Sequence, residues 1–193
     1  MLTLVATPIG NLEDFSFRAI ESLKNCDYIL CEDTRHSSIL LNKHNIHKPT
    51  KSYHQFNESK SEKQILNDLK NGKNICLISD AGTPAIADPG AELVLKCIEN
   101  KIEITYIPGP CALIMALVCS GLNTSRFQFL GFLPKKNQAL KSTLSEILIY
   151  PGTTIFYESP NRILNFLEIL EKIDPERNVT IGRELTKKFG NMF

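Results

Sequence analysis

Three glycine signatures are missing from this chain. It has no GxGxxG after its first apolar run, no GxxxxGK[ST] and no GxSxG. The glycine turn of a dinucleotide site, the phosphate loop of a nucleoside-triphosphate enzyme and the nucleophile elbow of an esterase are therefore absent. Net charge is nearly absent as well, with 22 Lys+Arg against 21 Asp+Glu and a formal balance of +1. No apolar run approaches the roughly 20 residues that a spanning helix needs; Ala112 to Cys119 is among the longest. The start of the chain has no basic cluster and meets Pro8 and Gly10 at once. It reads as strand and loop, not as a signal peptide.

The chain does contain six cysteines: Cys26, Cys31, Cys76, Cys97, Cys111 and Cys119. None forms a CxxC pair, and most sit inside apolar runs. In 193 residues with 42% apolar side chains, a secreted disulfide scaffold is a poor reading. Buried, reduced thiols in a cytosolic protein are the expectation. The same apolar content excludes intrinsic disorder. His36, His44, His47 and His54 share one polar stretch without HExxH or Cys/His spacing, so they read as a solvated loop and no metal site is expected.

The near-zero balance hides an asymmetry. Residues 34–73 carry eight Lys/Arg and three Asp/Glu, whereas residues 1–33 and 74–125 together carry four and eleven. Residues 126–193 hold ten basic and seven acidic side chains. Such patterning commonly marks only solvated faces, yet a local basic surface is what a phosphate-backbone partner requires.

Short apolar runs alternate with helical periodicity. Strands are expected at 2–6, Tyr28–Cys31, 74–79, 102–107, 127–130, 153–157 and 179–182. Helices are expected after a Ser16 cap, over 37–43, from a Ser61/Gln64 capping box to Gly72, over 92–99, 111–120 and 140–148, and after a Ser159-Pro160 start. Residues 44–59 read as a polar connection. Alternation of this kind predicts an α/β fold with a parallel sheet covered on both faces. Gly121 to Ser125 is the best boundary, giving domains 1–122 and 123–193.

Four strand ends in the first half run into unusual loops: TPIGN (7–11), EDTR (32–35), DAGTPAIADPG (80–90) and PGPCA (108–112). In an open parallel sheet ligands bind outside the carboxyl ends of the strands, so chain direction alone places all four loops at one edge. The Glu32-Asp33 pair suits a ribose or a metal, or an ion pair with Arg35. Asp80 and Asp88 suit turn caps equally well. These residues alone describe a cleft binder with an unidentified ligand.

As strings the loops are more specific. LVATPIGNLEDFSFRA (4–19), CEDTRHSSILL (31–41), SDAGTPAIADPGAELV (79–94), IPGPCALIMAL (107–117), SGL (120–122), FLGFLPKK (129–136), FYESPNRI (156–163) and GRELTKK (182–188) occur in this order. The whole chain resembles the ribosomal RNA small subunit methyltransferase I family of the tetrapyrrole methylase superfamily. The resemblance implies two α/β domains with S-adenosylmethionine in the cleft between them. It also implies methylation of a cytidine ribose 2′-hydroxyl in the decoding centre of 16S rRNA within the 30S subunit, by a cytoplasmic homodimer. Relatives continue beyond the RELTK block, so an incomplete second domain is the expectation.

By the same resemblance Pro8, Ile9, Gly10, Asp80, Gly82 and Thr83 touch the cofactor. Cys111 and Ala112 add backbone contacts, cysteine being a mild departure from the small hydroxyl residue common there. Phe156 and Arg183 join from the second domain. A ribose hydroxyl is a poor nucleophile at neutral pH, so a base or a polarising cation would help. Glu32, Asp33 and Arg35 are the catalytic candidates, with an interdomain ion pair as the alternative for each, and Glu158 and Glu184 are further candidate bases. Lys135, Lys136, Lys187, Lys188 and the basic 34–73 segment are the expected RNA contacts, with no role for DNA or membrane. A tetrapyrrole methyltransferase and an inactive cofactor- or RNA-binding remnant are the competing readings.

Overall fold

Leu2, Thr3, Leu4 and Val5 form β1 (Leu2–Val5), a strand buried at all four positions. The computed structural model describes the backbone of residues 1–55 and 58–193, and the side chains of all of these except 58–60. Successive strand residues point to opposite faces, so β1 feeds two cores. Leu2 and Leu4 join Tyr28, Leu30, Ile75 and Leu77, while Val5 joins Ile29, Cys31, Cys76 and Ile78. The neighbours are β2 (Tyr28–Cys31), β3 (Thr50–Ser52), β4 (Ile75–Ile78) and β5 (Ile104–Ile107). All pair in parallel, in the order β3-β2-β4-β1-β5.

Parallel neighbours need crossovers. On one face these are α1 (Phe17–Asn25) and α2 (Thr34–Lys43), which bury Ala19, Leu23, Leu40 and Leu41. On the other, α3 (Glu58–Lys70) and α4 (Ala91–Glu99) bury Ile65, Leu69, Leu93 and Cys97. Each fully buried Leu or Ile contributes roughly 1.5–3 kcal/mol of transfer free energy, so this two-sided core is the main source of stability here.

Local chemistry sets the helix ends, and it moves several boundaries. Ser16 Oγ accepts the Ala19 N–H at 3.1 Å, the cap expected from its type and place. Helix α2 starts three residues before the expected Ser37, because the Asp33 carboxylate accepts the Arg35 N–H at 2.8 Å and acts as N-cap. Helix α3 starts at Glu58, which places Ser61 inside it, and Gln64 Nε2 reaches Asp68 at 3.2 Å instead of closing a capping box. Gly72, with φ +85, ends α3 as expected: the Lys73 N–H returns to the Asp68 carbonyl at 3.1 Å. Strand β3 lies within the connection expected over 44–59; its residues are polar and exposed, so no apolar alternation announces it. Residues 56 and 57 of that connection lie outside the described residues.

Two compact units divide at Ala112/Leu113. That lies before the boundary read from the sequence and gives most of α5 (Ala112–Cys119) to the second unit. In that unit β6 (Phe127–Phe132) and β7 (Thr153–Tyr157) pair in parallel, with a register shift between Phe129 and Phe132. Within the shift Gly131 has φ +65. Helices α6 (Asn137–Ile149) and α7 (Ile163–Ile173) supply Leu140, Leu144, Ile147, Phe166 and Leu170 to a core with Leu133. Ser159-Pro160 does not cap α7. The Ser159 carbonyl accepts from Arg162 and Ile163 in an intervening turn, and Arg162 occupies the N-cap position. The strand expected over 179–182 is displaced to β8 (Gly182–Arg183), paired antiparallel with β9 (Asn191–Met192). Cys26, Cys31, Cys76 and Cys97 are buried, Cys111 is half-buried and Cys119 is exposed, all as free thiols. No helix of the described residues is long and apolar enough to cross a membrane.

Candidate functional site

The parallel order sends the ends of β1, β2, β4 and β5 to one edge of the first unit, as the loop strings predict. Hydrogen bonds stitch their loops together. Thr7 and Gly82 exchange both backbone bonds, at 2.8 and 3.1 Å. Thr7 Oγ1 donates to the Ser79 carbonyl at 3.1 Å, and Ser79 Oγ to the Gly82 carbonyl at 3.2 Å. Thr83 Oγ1 donates to the Pro110 carbonyl at 3.3 Å and receives Tyr106 OH at 3.3 Å. The β2 exit joins through the Asp33 N–H, which donates to Asp80 Oδ1 at 3.2 Å.

Glycine eases the close approach where these loops touch. Gly82 has φ +85, and a Cβ there would lie 3.2 Å from Ile9 Cγ2. A Cβ on Gly109 would stand 3.0 Å from the Ala6 Cβ. Ala85 and Ala87 hold φ of 67 and 59, a conformation that costs L-residues energy and gathers at binding loops. Pro8 is buried, Ile9, Asp80, Thr83, Cys111 and Ala112 are half-buried, and Gly10 is exposed. The structure therefore brings the sequence-predicted residues of the first unit to one edge.

Four carboxyl groups line this edge, in different electrostatic states. Asp33 accepts Arg35 Nε at 3.2 Å and Arg35 Nη2 at 2.9 Å besides capping α2. The Arg35 side-chain bonds, with its backbone N–H, hold the Asp33 carboxyl down at about 2. The Arg35 side chain is otherwise 90% exposed. Burial, then the nearby Asp80 carboxylate, pushes Glu32 above the usual carboxylate range. Burial, then the Glu32 carboxylate, pushes Asp88 up to about 6. Asp88 read from sequence as a turn cap; what sequence hides is its burial beside Glu32. Among the described residues no group of three His, Cys, Asp or Glu side chains is placed to hold a metal ion.

The remaining candidates lie in the second unit. Phe156 packs its ring on Phe166, 4.8 Å between centroids, and Arg183 is exposed on β8. Glu158 pairs with Arg162 at 3.0 Å and Glu184 with Lys187 at 3.5 Å. These pairs, like Asp33–Arg35, are local in the chain and do not join domains. Lys135, Lys136, Lys187 and Lys188 are all exposed. Within 34–73, Lys51 and Lys73 are drawn to Asp68, at 3.6 and 2.9 Å, which leaves a smaller free basic surface than the sequence count suggests.

Comparison with known proteins follows the same lines. The profile of the family "Tetrapyrrole (Corrin/Porphyrin) Methylases" matches residues 1–193. The chain is 48% identical over 188 residues to "Ribosomal RNA small subunit methyltransferase I" of Halalkalibacterium halodurans, covering 97% of this chain and 65% of that relative. It is 44% identical over 195 residues to the protein of that name from Thermotoga maritima, covering 100% of this chain and 86% of the relative. The chain thus spans just under two thirds of the first of these and most of the second. A crystal structure of diphthine synthase superposes with a TM-score of 0.71 at 14% identity, over 100% of this chain and 80% of that one, and shares the fold.

Proposed function

The chain belongs to the tetrapyrrole methylase family, in its ribosomal RNA small subunit methyltransferase I group, and from that premise we propose that it methylates a cytidine ribose 2′-hydroxyl of 16S rRNA, using S-adenosylmethionine. The observation that carries the reading is the stitched edge of the first unit, where four strand-end loops meet.

The residues at that edge fit the cofactor. A sulfonium with an ammonium group suits an anionic lining, and Glu32, Asp33, Asp80 and Asp88 supply one. An adenosine suits small, close-packed loops, and a Cβ at Gly82 or Gly109 would be a tight fit on the protein side. Pro8, Ile9, Gly10, Asp80, Gly82, Thr83, Cys111 and Ala112 would hold it. When bound, it supplies an electrophilic methyl group.

The chain's own residues then have to orient the hydroxyl, exclude water and accept a proton. Glu32 is the preferred acceptor, because burial keeps its carboxyl basic for its type. Asp33 is too strongly held by Arg35 to serve; its part is to fix the exposed guanidinium, which would take a substrate phosphate. Lys135, Lys136, Lys187 and Lys188 contact the RNA backbone, with no sequence reading of their own. The same reading carries a cytoplasmic homodimer acting on 30S subunits, which sedimentation of the purified chain would examine. Offering radiolabelled S-adenosylmethionine with 30S subunits beside uroporphyrinogen tests the proposal: label should enter the RNA and leave the tetrapyrrole unlabelled.

A further inference from the structure

Arg162, half-buried, and Glu158, whose side chain is enclosed, form a clamp on the turn that carries Lys135 and Lys136. Arg162 Nη2 donates to the Leu133 carbonyl at 3.0 Å and to the Pro134 carbonyl at 2.9 Å. The same nitrogen lies 3.0 Å from Glu158 Oε2. Glu158 Oε1 in turn accepts the Ser159 N–H at 2.7 Å, and its side chain is only 4% exposed. Arg162 is itself anchored, because its carbonyl accepts the Phe166 N–H in the first turn of α7.

The two gripped carbonyls belong to the residues immediately before Lys135-Lys136. On the far side, the Lys136 carbonyl accepts the Leu140 N–H and starts α6. The lysine pair is therefore fixed at both ends: by Arg162 on one and by a helical turn on the other. Lys136 fills the N-cap position without a side-chain bond to the helix. The positive end of the α6 dipole adds to two ammonium groups there.

A partly buried ion pair of this kind is weak as a source of stability, since apolar residues of similar volume often do as well. What apolar residues cannot do is hold two carbonyl oxygens in one orientation. We propose that Arg162, oriented by Glu158, is a positioning residue that presents Lys135 and Lys136 to the RNA backbone, joining the FYESPNRI block to the GFLPKK block as one phosphate-contact device. It rests on the assignment of those two lysines to RNA made above.

The test is direct binding of the purified full chain to 30S subunits over a range of salt, so that catalysis is not the readout. Arg162→Lys keeps the charge, but its ammonium cannot stand where Nη2 meets the two carbonyls and the Glu158 carboxylate. It should raise the Kd for 30S subunits by about fivefold while its Tm stays above the assay temperature. Lys135→Ala/Lys136→Ala should raise the Kd at least as far and flatten the salt dependence. Adding Arg162→Lys to that double variant should bring little further loss, because the arginine acts through the lysines. Glu158→Gln, which leaves the arginine and both carbonyls in place, should give a smaller loss of the same kind. Unchanged binding by folded Arg162→Lys and Glu158→Gln, beside a weakened lysine variant, would overturn the clamp and leave the RNA assignment standing. Unchanged binding by the lysine variant would remove the RNA assignment, and the clamp with it.

Discussion

The backbone N–H of Asp33 donates to Asp80 Oδ1 across 3.2 Å, and this bond ties the exit of β2 to the exit of β4. Asp80 fixes the neighbouring loop, and in the proposed function it also offers its remaining lone pairs to a cationic ligand. Asp80→Ala should weaken S-adenosylmethionine binding by about 10–100-fold, the range of a lost charged hydrogen bond. Asp80→Asn, whose amide oxygen still accepts, should lose less. Isothermal titration calorimetry of the two variants reads the difference.

Glu32 and Asp33 should separate in a pH–rate profile. Asp33 is already ionised above about 2, so Asp33→Asn should lower kcat/KM for 30S subunits by about tenfold through a released Arg35, without moving the acidic limb. Glu32→Gln should remove that limb. An Asp33→Asn variant with intact cofactor affinity and unchanged methylation would take Asp33 out of the site altogether.

Stability should depend on pH with opposite signs at two aspartates. The Asp88 carboxyl sits at about 6 against an ordinary 3.8. The folded chain therefore holds its proton more tightly than the unfolded chain. Its contribution is full below about pH 4 and is lost as pH rises through about 6. Asp68 is held below the usual range, chiefly by Lys73. Its contribution is present above the unfolded value and lost as pH falls. Urea midpoints taken from pH 3 to 7, with Asp88→Asn and Asp68→Asn beside the parent, would show the two slopes separately.

Asp68 is also a structural hub. It accepts Tyr28 OH at 3.0 Å, Lys73 Nζ at 2.9 Å and Gln64 Nε2 at 3.2 Å, with Lys51 Nζ over the Tyr28 ring at 3.8 Å. Asp68→Ala leaves a buried hydroxyl and two lysines without their acceptor, and should cost about 2–4 kcal/mol in denaturant unfolding. Tyr28→Phe removes a single bond and should cost about 1 kcal/mol.

Much of this was legible in the sequence, for identifiable physical reasons. Continuous apolar strands such as Tyr28–Cys31 can only be buried on both faces, so the parallel sheet and the shared edge of its four loops follow from pattern and direction. Ser16 acts as the cap its type suggests. Other features depend on contacts that no local pattern records. Strand β3 is three exposed polar residues whose only strand signal is pairing with β2. Asp33 as the α2 cap, Asp88 beside Glu32 and Arg162 on two distant carbonyls all depend on tertiary neighbours. The charge count of 34–73 promised more free cations than the fold leaves, because Asp68 claims Lys51 and Lys73.

Methylated nucleosides from 30S subunits test the central claim most directly. Subunits incubated with the purified chain and S-adenosylmethionine would be digested and their nucleosides resolved by mass spectrometry. A new 2′-O-methylcytidine is expected, present with the parent chain and strongly reduced with Asp80→Ala. Methyl groups found only on bases, or no transfer from a chain that binds both S-adenosylmethionine and 30S subunits, would contradict that claim.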